Sequence, residues 1–492
     1  MKSNRIRISA VFLFAMIAFS VLSMINILVD AQRPDYYSLL WLLPLSFLLV
    51  TVVLLVRYDK LYFSSITGTI AVLIYFVRMV VTPLFMSMGG YASIFDESVY
   101  SANAAMAIIL MSYETFAVFL LLTAFLQKSR RLSDGMQYPE EEALTDKRTR
   151  PSRALWLIIA AMSAFILYLI ARDSTIWKAN FLLLIDIDQS YHAFSSAETG
   201  IGTLSMYVEI MNSLFKLIQV ILPPMLLYYI ARKSKGKHLK YVVTFALFLM
   251  VVIVATDDRI DAIFAGLALL FTVRDTFGAG FRNRFSQWLA IICFAGIFGL
   301  AIKSRVVTSG AGGADWQNAS KMLTSYFSGV PTVAAGIGMS DSLEGLNLLH
   351  IFPDSVSKIP YFAYALNLFT GVSITNSNQL LNDYIRSLAG RGYGQILPST
   401  AIGYEYVGMV LAPLLPALFL KLALYFERNI KMQSDIVRRN LYYWITICVA
   451  SSPVISSVLL ITAKLSWFFI AIVLMWALQK RRDYVSEKRG RE

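Results

Sequence analysis

Charge is what this chain has least of. Only 15% of its 492 residues are Asp, Glu, Lys or Arg, where a soluble domain of this size carries about a quarter. There are three histidines and two cysteines, Cys293 and Cys448, both inside apolar runs. A disulfide framework and a cysteine zinc site are therefore excluded. No cysteine- or histidine-based metal-binding motif appears, and metal-free chemistry without a cofactor is expected. No internal repeat is visible, which weakens transporter folds built from duplicated halves. Nor is there a Walker lysine pattern, so Gly390-Arg391-Gly392-Tyr393-Gly394 is a flexible turn rather than a P-loop.

What is abundant is apolar sequence, 57% of residues, with 13% aromatic. It comes in runs of about twenty residues, each matching the hydrocarbon thickness as a helix. The expected spans are 8–29, 37–56, 64–88, 103–126, 154–171, 205–231, 241–256, 260–273, 288–303, 401–426, 441–459 and 463–479. This predicts an all-α, polytopic integral membrane protein of about twelve transmembrane helices. The basic amino end precedes a first run too long for a signal h-region, and is expected to be an uncleaved span.

The net charge of +13 does not point to nucleic acid, because the cations sit in short segments between apolar runs. About thirty of the 44 Lys and Arg fall on one side and about eleven on the other. That bias places both termini and the loop 127–153 in the cytoplasm. The expected organisation is 1–303, nine helices; 304–400, a large hydrophilic extracytoplasmic loop between helices nine and ten; and 401–492, the last three helices and a basic tail.

Within the loop, Asn318–Phe327 has helical spacing, Ile359–Phe369 is apolar enough to enter the interface, and Asn376 or Asn378 suits a helix cap. Outward-facing arginines are the leading candidates for chemistry: Arg259, Arg305, Arg386 and Arg391. Guanidinium forks hold phosphate oxygens bidentately, so a lipid-linked diphosphate fits them; pairing with nearby acids or lipid headgroups is the plainer alternative. Glu405, Asp258 and Asp383 are candidate general bases for an acceptor hydroxyl, or ion-pair partners of those arginines. Tyr326, Tyr393, Tyr404 and His350 are candidate substrate contacts, although a lone loop histidine is as readily packed or solvated. Arg78 and Glu114 fall at similar depth in neighbouring spans and are expected to face each other or a wet cavity, because an unpaired charge there is costly.

Three stretches resemble a known family. Thr256-Asp257-Asp258-Arg259-Ile260-Asp261-Ala262 is similar to a short turn of the bacterial O-antigen, or polysaccharide repeat-unit, polymerases. Tyr326-Phe327-Ser328-Gly329 and Pro398-Ser399-Thr400-Ala401-Ile402-Gly403-Tyr404-Glu405-Tyr406-Val407-Gly408 resemble that family's late-loop signature. The resemblance implies a glycosyltransferase C-like membrane fold in the bacterial cell membrane. It implies transfer of a growing glycan from polyprenyl diphosphate onto the next lipid-linked repeat unit. Arg259 and Arg391 would hold diphosphates, and a carboxylate would activate the acceptor. Implied partners are polyprenyl-diphosphate-linked oligosaccharides and membrane lipids, with a flippase and a chain-length regulator nearby. An O-antigen-type ligase, a lipid-linked oligosaccharide flippase or transporter, and a scaffold for a synthesis complex stay open.

Overall fold

The computed structural model describes residues 2–134, 153–172, 217–229, 259–277, 316–343, 348–357, 375–390, 396–433, 435–455 and 458–491, with a few single positions between them. Among these residues the regular structure is helical, with no strand. Four helices are long and apolar enough to cross a bilayer: Ala10–Val29, Asp35–Leu55, Ile66–Met88 and Glu97–Arg131. They agree with the first four expected spans, and they make this a membrane-embedded helical protein. Expected spans 241–256 and 288–303 lie outside the described residues.

The chain divides into two compact units that interleave along the sequence. The first comprises Met1–Met136, Gly313–Arg428 and Cys448–Ser466. It holds α1 (Lys2–Val29), α2 (Leu42–Val50), α3 (Asp59–Ser64), α4 (Ile66–Phe76), α5 (Thr82–Met88), α6 (Glu97–Tyr100) and α7 (Ala104–Asp134). A single π turn, Val77–Val81, joins α4 to α5 and carries Arg78. The start of α4 is fixed twice. Ser65 caps it by accepting from the Gly68 N–H at 3.1 Å, and the Glu427 carboxylate accepts from the Ile66 and Thr67 N–H groups at 2.8 and 3.0 Å. These are orphan donors that would otherwise face a low-dielectric interior unpaired.

Further along come α11 (Trp316–Tyr326), α12 (Val330–Ser342), α13 (Ile351–Val356), α14 (Ser377–Ala389), α15 (Ser399–Leu411) and α16 (Leu414–Ile430). Two expectations are corrected here. The segment 304–400 is not a solvated excursion throughout, because Val330–Ser340 is buried without interruption, packed against α6, α7, α14 and α15. Its residues are mostly small and its apolar stretch is about ten residues, the length of a core helix rather than a span. Glycines let it approach closely: a Cβ on Gly336 would lie 2.6 Å from the Ala401 Cβ, and one on Gly338 would lie 2.4 Å from the Tyr384 hydroxyl. The expected tenth span, 401–426, is likewise not one straight helix. It is α15 and α16, bent by 111°.

The second unit comprises Gln137–Gly312, Asn429–Ile447 and Trp467–Glu492. It contains α8 (Arg153–Arg172), α9 (Leu217–Tyr229) and α10 (Arg259–Phe277), with parts of α17 (Ile436–Ile455) and α18 (Val458–Arg491). Asn440 ties three helices together, accepting from the Thr272 hydroxyl at 2.9 Å and donating to the Val220 carbonyl at 2.8 Å. Asp275 accepts from the Tyr443 hydroxyl, with Arg439 4.0 Å away.

Candidate functional site

The break between α15 and α16 depends on two glycines. Gly408 takes φ 75° and ψ 177°, a conformation open essentially to glycine alone. Gly403 faces the returning chain so closely that a Cβ would lie 2.4 Å from the Ala412 carbonyl oxygen. This reversal turns Glu405 fully inward, at 0% exposure.

Glu405 sits in a connected polar cluster. Its Oε1 lies 2.6 Å from His350 Nδ1 and accepts from the Ser377 hydroxyl at 3.1 Å. Ser377 also donates its backbone N–H to Asp354 Oδ1 at 2.7 Å, and Asp354 Oδ2 accepts from the Tyr406 hydroxyl at 2.5 Å. Ser377 is delivered by the first turn of α14, which Asn376 and Gln379 close as a reciprocal capping box. The positive end of that helix therefore faces two buried acids. Glu405 Oε2 is buried and has no hydrogen-bond partner among the described residues. His350 is the member that reaches the surface, with its side chain 25% exposed. Its contact with Glu405 is made through Nδ1, which leaves Nε2 outside that contact. A carboxylate on one nitrogen of an imidazole orients the ring and favours a proton on it, which equips the other nitrogen to accept one from outside.

A second polar centre lies on the other side of the α15 start. Arg78 and Glu114, the expected intramembrane pair, are 3.2 Å apart and both 0% exposed. Tyr75 donates to Glu114 Oε1 at 2.6 Å. Arg78 also donates to the Ser328 carbonyl at 3.1 Å and to the Thr400 hydroxyl oxygen at 2.9 Å. Ser328 holds a positive φ of 47°, and its hydroxyl donates to the Val454 carbonyl at 2.6 Å. Ser399 donates to the Pro453 carbonyl, also at 2.6 Å. Two of the stretches quoted above, around Ser328 and around Ser399, thus converge on one arginine and on the proline-containing last turn of α17.

The remaining expected site residues that are described do not join the Glu405 cluster. Tyr404 donates to Asp341 at 2.9 Å on the exposed side of α15. Burial, then the Asp341 carboxylate, push the Tyr384 phenol above its usual pKa. Arg386 and Asp383 are one turn apart on α14, 3.8 Å from each other and about two-thirds exposed. Tyr326 ends α11 in a half-buried position. Arg259 opens α10, where only its backbone is described. Asp258, Arg305, Arg391 and Tyr393 lie outside the described residues.

Glu405, an expected base, is fully buried, and His350 is the member of the pair with exposed surface. Asp354, Ser377 and Tyr406 were not singled out from sequence. The available signal was spacing, since His350 and Asp354 are four apart and share one face of a helical turn. Among the described residues, no three His, Cys, Asp or Glu come together in a way that could hold a metal ion.

Fold and site together define a membrane-embedded helical protein with a carboxylate–histidine pair beside a broken apolar helix. Comparison with protein-family models, curated proteins and solved structures returns no match.

Proposed function

We propose that this protein is a membrane glycosyltransferase, a polysaccharide repeat-unit polymerase acting at the outer face of a bacterial cell membrane. The observation that carries the reading is the 2.6 Å contact between buried Glu405 and half-buried His350. Glycosyl transfer to a hydroxyl needs a base that meets the acceptor and a cation for the departing diphosphate. In this reading His350 takes the acceptor hydroxyl proton on Nε2, and Glu405 stabilises the imidazolium that forms. The acceptor oxygen bonds to the anomeric carbon as the bond to the polyprenyl diphosphate breaks, and the diphosphate leaves with the electron pair. This reading assigns the phosphate contact to Arg386, exposed on α14. The twelve-helix arrangement and the glycosyltransferase C-like fold belong to the same proposal.

The test is chain extension in vesicles that hold the purified protein and a lipid-diphosphate-linked repeat unit. His350→Ala should lower polymer formation by about 100-fold or more, the usual contribution of a general base, at unchanged protein yield. Glu405→Gln should lower it less and alter its pH dependence. Full-length polymer from His350→Ala removes the assignment.

A flippase is the second reading. The bent pair α15–α16 favours it, because discontinuous helices mark transporter sites, as do the unpartnered buried oxygens Glu114 Oε2 and Glu405 Oε2. A strain lacking the polymerase leaves single repeat units on the surface lipid. A strain lacking the flippase leaves none outside.

A further inference from the structure

We infer that Leu348–Phe352 is a bilayer-facing wedge, which holds the His350–Glu405 pair at the boundary between hydrocarbon and headgroups. The inference does not depend on which reaction the pair serves. It comes from an inverted pattern. In the helical turn Leu348–His350 and the following α13, the polar side chains point into the protein. His350 pairs with Glu405, and Asp354, 1% exposed, accepts from Ser377 and Tyr406. The apolar side chains point out: Leu348 is 56% exposed, Leu349 86%, Ile351 41% and Phe352 61%. In water, an amphipathic turn buries its apolar face and solvates the polar one. Here both placements are reversed, so two observations agree: a contiguous exposed apolar surface and buried polar groups beneath it.

The occupant is lipid, and three features on the page support this. The chain carries spans that place it in a bilayer. The turn Leu348–His350 packs on α15, the first limb of a bent helix pair that together is long and apolar enough to enter a bilayer. Among the described side chains of 348–352 there is no exposed charge to recognise a polar partner, whereas an interfacial element is held by aliphatic and aromatic groups. A half-buried imidazole framed by Leu349 and Phe352 would meet a reacting group presented from the bilayer rather than from bulk water.

Nitroxide accessibility in the full-length protein tests this. Leu349→Cys and Phe352→Cys, in a background with Cys293 and Cys448 replaced by alanine, are spin-labelled and reconstituted into phosphatidylcholine–phosphatidylglycerol vesicles. Asp383→Cys, about two-thirds exposed on α14, is the reference. Collisions with apolar oxygen relative to a water-soluble nickel chelate should be several-fold more frequent at 349 and 352 than at 383. A nickel preference at 349 and 352 equal to that at 383 would place the wedge in water and overturn the inference. Labels shielded from both reagents would also overturn it, because a protein partner would then cover the patch. Both wedge positions are outward-facing, so neither substitution disturbs the core.

Discussion

Arg78 shows most clearly how a single residue organises this molecule. A guanidinium at 0% exposure is tolerable only when its donors are used, and here Glu114, Ser328 and Thr400 use them. Removing one partner of such a pair leaves an uncompensated buried charge, at about 3–5 kcal/mol. Arg78→Ala should therefore fail to accumulate, as read by immunoblot of membranes, rather than accumulate inactive. The double variant Arg78→Met with Glu114→Gln should recover a substantial part of the level. Normal accumulation of Arg78→Ala would mean that the pair contributes little to folding. The pairing of Arg78 with Glu114 was legible from depth along two neighbouring spans. The further bonds were not, because Ser328 and Thr400 come from positions 250 and 322 residues away. No local pattern encodes such contacts.

Individual elements turn on glycines and caps. Gly408 holds a backbone conformation that an alanine occupies only with strain of about 1–3 kcal/mol. Gly403→Ala would force its new Cβ onto the Ala412 carbonyl, at 2.4 Å. Both substitutions should lower the thermal unfolding temperature in detergent and expose α15 to limited proteolysis. An unchanged melting profile for Gly408→Ala would show that the reversal is not needed for stability. Glu427→Ala should cost about 1–2 kcal/mol by uncapping α4, where the carboxylate accepts two backbone N–H groups and the Ser65 hydroxyl. Restoration by Glu427→Gln should be partial, since one of its two oxygens becomes a donor. Averaged hydropathy reads 401–426 as one span despite Glu405, Lys421 and the prolines at 413 and 416, so the break did not show in it. The helix cap at Asn376 was legible, because Asn at that spacing before a helix has a local physical reason.

For the whole molecule, the proposed orientation yields a direct test. With Cys293 and Cys448 replaced by alanine, Asp383→Cys should react with an impermeant maleimide on intact cells. Lys488→Cys, in the basic tail, should react only after permeabilisation. The reverse result would turn the topology over.

That this is a helical membrane protein, and where its first four spans run, was readable along the chain. Those properties follow from twenty-residue apolar runs, and a run is local. The sequence also brought His350 and Glu405 forward as candidates, though as separate ones. Packing in three dimensions was needed to make Glu405 the hidden member and His350 the accessible one, and to make Val330–Ser340 core rather than loop. It also turned leucine and phenylalanine outward beside them. Burial is set by what the rest of the chain packs against a residue, and here a backbone reversal at Gly408 and the capped start of α14 made that choice.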